Sequence, residues 1–336
     1  MPKPIIIYAL GEGWGHLNRA IALGRVAARQ YPVIILTNSP YAGAIAVTLA
    51  SSPSPFSLEL RQLPQTSLQA RQYWIQQQCQ QPAIGLIVDT FPRGLTGELT
   101  TILPRLSIPK ILVHRDLNPH YIKVKQADIW AAQYDPILIP GEGNDLPFAC
   151  FPQTIHTPPW LVRNCQELLP IHLASSRLKV TRTSPLAIVC ATGKTSEQAF
   201  FGRITKHLAA SLPPYQVRCL ASNCPPECPP SLWFSHYPAL DYLQLASAVI
   251  SGGGYNIVHE CRLLGVPLLA FPFERSYDRQ ALRIQKFAHH LKTESEAVTR
   301  VQRRVTYPFS PDTPPEYING VDQAWESIKR SFNPST

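Results

Sequence analysis

The sequence predicts an α/β protein of two Rossmann-like domains facing each other across a cleft. Three observations carry this expectation. Short apolar runs alternate with helix-length runs in both halves of the chain, the pattern of a parallel sheet with helices on both faces. A Pro-rich stretch from Phe151 to Pro170 interrupts the alternation midway. Each half also carries a glycine-rich loop directly after a strand-like run, where open α/β sheets bind ligands. A chain of 336 residues has room for two such domains.

In the first half, strands are expected at Ile5–Ala9, Val33–Thr37, Leu58–Leu63, Ile84–Asp89, Lys110–His114 and Ile137–Pro140. Helices are expected at Leu17–Arg29, Ala42–Ala50, Ser67–Gln80 and Gly94–Leu103. This gives a first domain over residues 1–160 and a linker over 161–182. A second domain over 183–317 carries strands Leu186–Ala191, Gln216–Ala221, Ala248–Ile250 and Leu268–Phe271, with helices Ser196–Ser211, Tyr255–Leu264 and Arg279–Leu291. The tail, 318–336, contains a further candidate helix, Ile318–Phe332. No internal repeat is visible.

Composition narrows the function classes. The chain is 45% hydrophobic and 16% charged, as a globular protein is. Its formal charge of +9 suits a nucleotide ligand, an acidic acceptor or an anionic membrane face. No basic-plus-aromatic RNA-binding module is present, so no nucleic-acid partner is expected. The N-terminal apolar run is too short for a signal peptide, and no stretch approaches the ~20 apolar residues of a membrane helix. The expected location is the cytoplasm, with peripheral association with the cytoplasmic face of a membrane left open. The eight cysteines are scattered. The tightest pair, Cys224 and Cys228, lacks the second pair or spaced histidines of a zinc site, so no metal is expected.

The richest segment is Ser251-Gly252-Gly253-Gly254-Tyr255-Asn256-Ile257-Val258-His259-Glu260, closed by Gly265-Val266-Pro267. Three glycines between a strand and a helix let backbone N–H groups approach an anion at the helix N-terminus. Asn256 and Glu260 are four apart and share a helical face. A diphosphate on the glycines and a ribose diol on the Glu260 carboxylate would together make a nucleotide site. In the first half, Gly11-Glu12-Gly13-Trp14-Gly15-His16 follows the strand Ile5–Ala9 and opens a helix rich in small residues.

The first of these segments resembles the donor-site signature of GT-B glycosyltransferases, and is most similar to glycosyltransferase family 28, which includes the peptidoglycan N-acetylglucosamine transferase. That signature has a Gly-rich turn, an Asn or Ser, a Glu four residues on, then Gly-Val-Pro, a strand, a Pro and an acidic/Gln pair. Here the continuation is Leu268 to Phe273, then Asp278-Arg279-Gln280, with Arg279 intervening where the family pair is often adjacent. The resemblance implies that Gly253 and Gly254 lie against the diphosphate, that Glu260 binds ribose, and that Asp278 or Gln280 touches the donor sugar. Gly11 to His16 looks like the loop and His that open the acceptor domain, with Trp14 where the family has a smaller residue. The resemblance also implies that the terminal helix crosses back to the first domain. The specific motifs cover about 60 residues.

His16 sits at a helix start, where the positive end favours a neutral imidazole able to accept a proton from an acceptor hydroxyl. Asp89 ends the strand Leu86-Ile87-Val88-Asp89, where it could orient His16, contact the acceptor or cap the following turn. Arg115, also at a strand end, suits an anionic acceptor or an internal salt bridge; Gly13, Gly15 and Arg19 complete the acceptor side. Ala191-Thr192-Gly193-Lys194-Thr195 looks like the tail of a phosphate-binding P-loop, but the earlier glycine would fall at Ile188, inside a strand, so that reading fails. By the family resemblance Gly193 and Thr195 lie beside the donor phosphates with Gly252. No Asp-X-Asp occurs anywhere, so amides and a helix dipole must stabilise the diphosphate.

The expected activity is metal-independent, inverting transfer of a hexosyl or N-acetylhexosaminyl group from a UDP-sugar co-substrate, or another nucleoside-diphosphate sugar, to an acceptor hydroxyl. No other cofactor is expected, and lipid-linked and acidic acceptors are both open. Gly15-His16-Leu17-Asn18-Arg19 also resembles UDP-sugar hydrolases of the same superfamily. A nucleotide-sugar hydrolase or epimerase, or a non-catalytic nucleotide-sugar binding protein, is therefore the alternative.

Overall fold

The computed structural model describes residues 2–11, 13–43, 45, 57–213, 215–303 and 316–332. The chain divides into two compact units. The first comprises Met1–Val162, Ser276–Asp278 and Asn319–Thr336; the second comprises Arg163–Arg275 and Arg279–Ile318.

In the first unit, strands β1 (Ile5–Ala9), β2 (Val33–Thr37), β3 (Leu58–Gln62), β4 (Gly85–Asp89), β5 (Lys110–Val113), β6 (Ile137–Pro140) and β7 (Thr154–Thr157) form one sheet in the order β3-β2-β1-β4-β5-β6-β7. Every pairing is parallel. The central strands are continuous apolar runs with every residue buried, as a sheet covered on both faces requires. The outer strands β3 and β7 carry polar residues and are only partly covered. Helices α1 (Trp14–Ala27), α2 (Leu68–Cys79), α3 (Pro119–Lys125) and α4 (Ala127–Ala131) connect the strands. One core cluster joins Tyr8, Leu36, Val88, Leu112 and Ile137 of the sheet to Ile75, Tyr121 and Ala127 of the helices. Each fully buried valine, leucine or isoleucine among them contributes about 1.5–3 kcal/mol.

The second unit holds β8 (Leu186–Cys190), β9 (Gln216–Leu220), β10 (Trp233–Phe234), β11 (Ala248–Gly252), β12 (Leu268–Phe271) and β13 (His289–His290), in the order β10-β9-β8-β11-β12-β13, again all parallel. Helices α5 (Ile171–Leu178), α6 (Thr195–Ser211), α7 (Leu240–Leu243), α8 (Tyr255–Leu264), α9 (Gln280–Phe287) and α10 (Glu294–Gln302) accompany them. Buried clusters occupy the two faces of the sheet. The last helix, α11 (Val321–Phe332), returns to the first unit and packs on α1. Residues 163–182 belong to the second unit, where Ala174 and Leu178 of α5 enter its core.

Several expected elements shift. The helix expected over Gly94–Leu103 is absent; that stretch is a series of turns with Gly94 and Gly97 at φ +83 and +97, values no right-handed helix contains. β7 forms inside the Pro-rich stretch, and α3 and α4 form where no element was expected. The helix expected at Ala42–Ala50 falls mostly outside the described residues. Among the described residues no helix is long and apolar enough to cross a membrane.

Candidate active site

Strand order places the functional loops. In the first sheet the chain runs outward from β1 through β2 to β3, then restarts at β4 and runs the other way. The switch point lies between β1 and β4. Adjacent parallel strands whose connections leave in opposite directions open a crevice at their carboxyl ends. The loop after β1 ends in His16, and β4 ends in Asp89.

These two residues meet there. His16 Nδ1 lies 2.6 Å from Asp89 Oδ2. Arg19 grips the same carboxylate in a fork, Nε to Oδ1 at 2.9 Å and Nη2 to Oδ2 at 2.7 Å, and also reaches Thr90 Oγ1 at 3.3 Å. His16 and Arg19 are three apart on α1 and so share the face that looks at the end of β4. That spacing was the available signal for their common target. Arg19, expected on the acceptor side, is only 1% exposed and spends its guanidinium on Asp89. Burial raises the Asp89 pKa, but Arg19 and His16 together outweigh it and hold the carboxyl far below its ordinary value. An ionised carboxylate only accepts hydrogen bonds. Nδ1 of His16 must therefore carry the proton, leaving the Nε2 lone pair to act as a base. Burial also lowers the His16 pKa below 6.5, against the raising effect of Asp89.

Thr90 and Phe91, to which the sequence reading assigned no role, and Gly11 of the glycine-rich loop hold this dyad. Thr90 has φ +73, a left-handed conformation for a β-branched residue, fixed by its N–H to Val113 O at 2.8 Å. Phe91 stacks on the His16 ring with centroids 5.5 Å apart. Gly11 lies directly against the imidazole: a Cβ there would sit 2.1 Å from Cδ2 and 2.5 Å from Nε2. The Gly11 N–H donates to Asn38 Oδ1 at 2.6 Å. Gly13 caps α1, while Gly15 is close to the Arg19 and Arg115 guanidinium groups. Arg115, 7% exposed, lies 3.4 Å from Asp278, which clusters with the first unit. Glu12 is outside the described residues.

The second sheet repeats the device, with its switch point between β8 and β11. The loop after β8 carries Gly193 and Thr195; the loop after β11 carries Gly252, Gly253 and Gly254. Gly193 has φ +103, and residues Thr192–Ser196 are exposed at the N-terminus of α6. The three glycines differ in what they permit. A Cβ at Gly253 would collide with Ile284 of α9 at 2.5 Å, so this glycine is there for packing. A Cβ at Gly254 would meet nothing within 4 Å. Asn256, in the first turn of α8, has both amide atoms shielded from solvent and without a hydrogen-bond partner among the described residues, an arrangement that costs stability. Glu260 is 6% exposed, and burial, aided by the Asp241 carboxylate, pushes its pKa up to about 7. Gln280 Oε1 accepts from Phe273 N at 3.3 Å, beside Gly252. Gln280 thus stays with the second unit, whereas Asp278 does not.

Among the described residues no group of three or more His, Cys, Asp or Glu is placed to hold a metal ion. An open depression of about 610 Å³ near Lys110, Asp135 and Arg330 lies at the opposite end of the first sheet from the His16–Asp89 dyad.

No protein-family model matches this sequence, and no curated protein does. Solved structures do. The glycotransferase of kitacinnamycin is 16% identical with a TM-score of 0.65, covering 99% of this chain and 100% of its own. UGT2 of Phytolacca americana, complexed with UDP-2fluoro-glucose and pterostilbene, is 15% identical with a TM-score of 0.58, covering 98% and 94%. The spinosyn rhamnosyltransferase SpnG, complexed with thymidine diphosphate, is 14% identical with a TM-score of 0.57, covering 97% and 96%. The chain therefore has the two-unit, parallel-sheet architecture of GT-B glycosyltransferase structures.

Proposed function

We propose that this chain is a glycosyltransferase that moves a sugar from a nucleoside-diphosphate donor, a UDP-sugar, to an acceptor hydroxyl with inversion and without a divalent metal, in the manner of family 28. The observation that carries the reading is the His16–Asp89 pair at the switch point of the first sheet. A neutral imidazole with its Nδ1 proton committed to a carboxylate is a general base. The acceptor hydroxyl gives its proton to His16 Nε2 as its oxygen attacks the anomeric carbon. The bond from that carbon to the diphosphate oxygen breaks, and its electron pair leaves with UDP. Arg19 acts behind the dyad as a positioning residue, and Arg115 and Gly13–Gly15 serve the acceptor side.

Donor binding falls to the second unit. The loop around Gly193 and Thr195, at the start of the 17-residue α6, meets the diphosphate together with the turn at Gly252–Gly254. Asn256 completes its hydrogen bonds on the ligand, Glu260 takes the ribose diol, and Gln280 takes the sugar. Structural neighbours crystallised with a UDP-sugar analogue and with thymidine diphosphate support a nucleoside diphosphate as ligand. The absence of any Asp-X-Asp in the sequence supports metal independence.

The test is a thermal-shift screen of nucleotides and nucleotide-sugars followed by product analysis. UDP raises the melting temperature of the wild type, and Glu260→Ala loses that shift. A shift retained in Glu260→Ala removes Glu260 from the ribose site. Release of free sugar and UDP at a rate indifferent to any acceptor supports the hydrolase alternative instead.

A further inference from the structure

We propose that Arg275 is the counter-charge for the donor's diphosphate and that Glu197 holds its place in the unliganded chain. This rests on the donor reading above and adds what balances the charge and sets its selectivity.

Glu197 is the third residue of α6, and both of its carboxylate oxygens are taken by Arg275: Nη1 to Oε1 at 2.6 Å and Nη2 to Oε2 at 2.6 Å. Oε2 also accepts the Lys194 N–H at 3.3 Å. The carboxylate lies over the phosphate loop itself. A Cβ built on Gly193 would fall 1.9 Å from Glu197 Oε2 and 3.3 Å from Arg275 Nη2. An anion thus already occupies the space above Gly193, held by a planar guanidinium whose fork fits a phosphate as well as a carboxylate.

The two partners are unequally placed. Glu197 is buried on its helix, whereas the Arg275 side chain keeps 26% of its surface exposed. Apart from Glu197, Arg275 donates to its neighbour's carbonyl, Glu274 O at 3.1 Å, and its Cζ lies 5.7 Å from the Phe273 ring centre. That ring also borders the other glycine turn, 3.3 Å from the position a Cβ would take on Gly252. Arg275 is therefore tethered between the two loops of the switch-point crevice, where small movements of its head reach either. A diphosphate arriving there exchanges with the carboxylate for the guanidinium, while Glu197 keeps its bond to the Lys194 amide. The carboxylate acts as an internal competitor. A ligand must carry enough negative charge to displace it, which selects diphosphates over singly charged or neutral ligands. Once displaced, it leaves Arg275 neutralising the charge that develops on the leaving UDP.

Calorimetric titration of the full chain with UDP, inorganic pyrophosphate and uridine tests this, on wild type, Arg275→Gln, Glu197→Gln and the double variant, each shown by circular dichroism to be folded. Arg275→Gln is expected to weaken UDP and pyrophosphate about tenfold or more, the worth of a charge-assisted pair, and to leave uridine unchanged. Glu197→Gln, which keeps an acceptor for the Lys194 amide but lacks the charge, is expected to tighten both anions; the double variant is expected to behave as Arg275→Gln. UDP binding by wild type that neither variant alters overturns this proposal and leaves the donor reading standing. The same holds if Glu197→Gln weakens binding, which would make Glu197 a cap alone. Wild type that binds pyrophosphate with the expected variant pattern but binds UDP no better overturns the nucleotide reading and keeps the exchange. Wild type that binds neither anion overturns both.

Discussion

At the scale of single residues, one carboxylate organises the first unit's chemistry. Asp89 faces an imidazole and a guanidinium at once, and it stays ionised because two partners outweigh the cost of burying it. The residue after it, Thr90, keeps φ +73, a strain of order 1–3 kcal/mol that packing must offset. A positive-φ threonine beside a buried, paired carboxylate is the kind of outlier that points toward function rather than fold. The dyad has a pH signature. The His16 pKa is lowered below 6.5 by burial, so the imidazole stays neutral at lower pH than in a free histidine. At saturating donor, kcat should then be flat through neutrality and fall only below pH 6.5 as His16 protonates. The same sign applies to stability: this group's contribution is full above 6.5 and is lost as pH falls through the folded pKa. Asp89→Asn removes the acceptor that fixes the tautomer. It should lower kcat about 10²- to 10⁴-fold while leaving UDP affinity within error, a split that simple unfolding would not produce.

At the scale of elements, the outcome followed local chemistry more than average propensity. Apolar runs such as Ile5–Ala9 and Leu268–Phe271 formed strands at the expected bounds because nothing but a two-faced burial satisfies them. The helix expected over Gly94–Leu103 does not form because Gly94 and Gly97 both settle at positive φ, which no right-handed helix accommodates. β7 was hidden by flanking prolines that, at a sheet edge, cost it little. The Glu197 contact to the Lys194 amide follows a three-residue capping spacing present in the sequence. The terminal helix α11 was legible, and its anchoring is testable. Trp325 is 2% exposed and meets Tyr31 and Phe332 edge-on at 5.9 and 6.1 Å. Gly320, just before the helix, lies where a Cβ would strike Pro158 O at 2.1 Å, so the helix enters along a fixed line. Trp325→Ala should destabilise the first unit by about 3–5 kcal/mol, seen as an earlier denaturant transition. If the transition does not move, α11 is not part of that unit's cooperative core.

At the scale of the whole molecule, the two sheets share one switch-point topology, with the His16–Asp89 pair at the end of one and the Gly193 and Gly252–Gly254 loops at the end of the other. That repetition was readable because both glycine loops follow strands. What was not readable is which strands neighbour which, since the restart at β4 and at β11 depends on long-range pairing. The two sites also set opposite pH demands on one chain. His16 stabilises the fold more as pH rises toward 6.5. Glu260 does the reverse: its folded pKa of about 7 stands above the ordinary 4.5, so its contribution is full below 4.5 and is lost as pH rises through 7. Burial is the main cause, with the Asp241 charge from α7 adding to it. Beside Asp241, the carboxyl interacts with groups that are neutral near pH 7, the thiols Cys190 and Cys261 and the Tyr317 hydroxyl, all themselves pushed upward. Ribose hydroxyls donating to the ionised carboxylate would supply the hydrogen bonds it lacks, drawing its pKa down on binding. The increment in melting temperature caused by UDP should therefore grow between pH 6 and pH 8, with proton release on binding measurable by titration in buffers of different ionisation enthalpy. The terminal phosphate of UDP also titrates in this range, with a pKa of about 6. Glu260→Gln keeps that contribution and drops the carboxylate, so the difference between the two proteins isolates Glu260. Equal pH dependence in both would place the ribose elsewhere and leave the buried carboxyl as a feature of the fold alone.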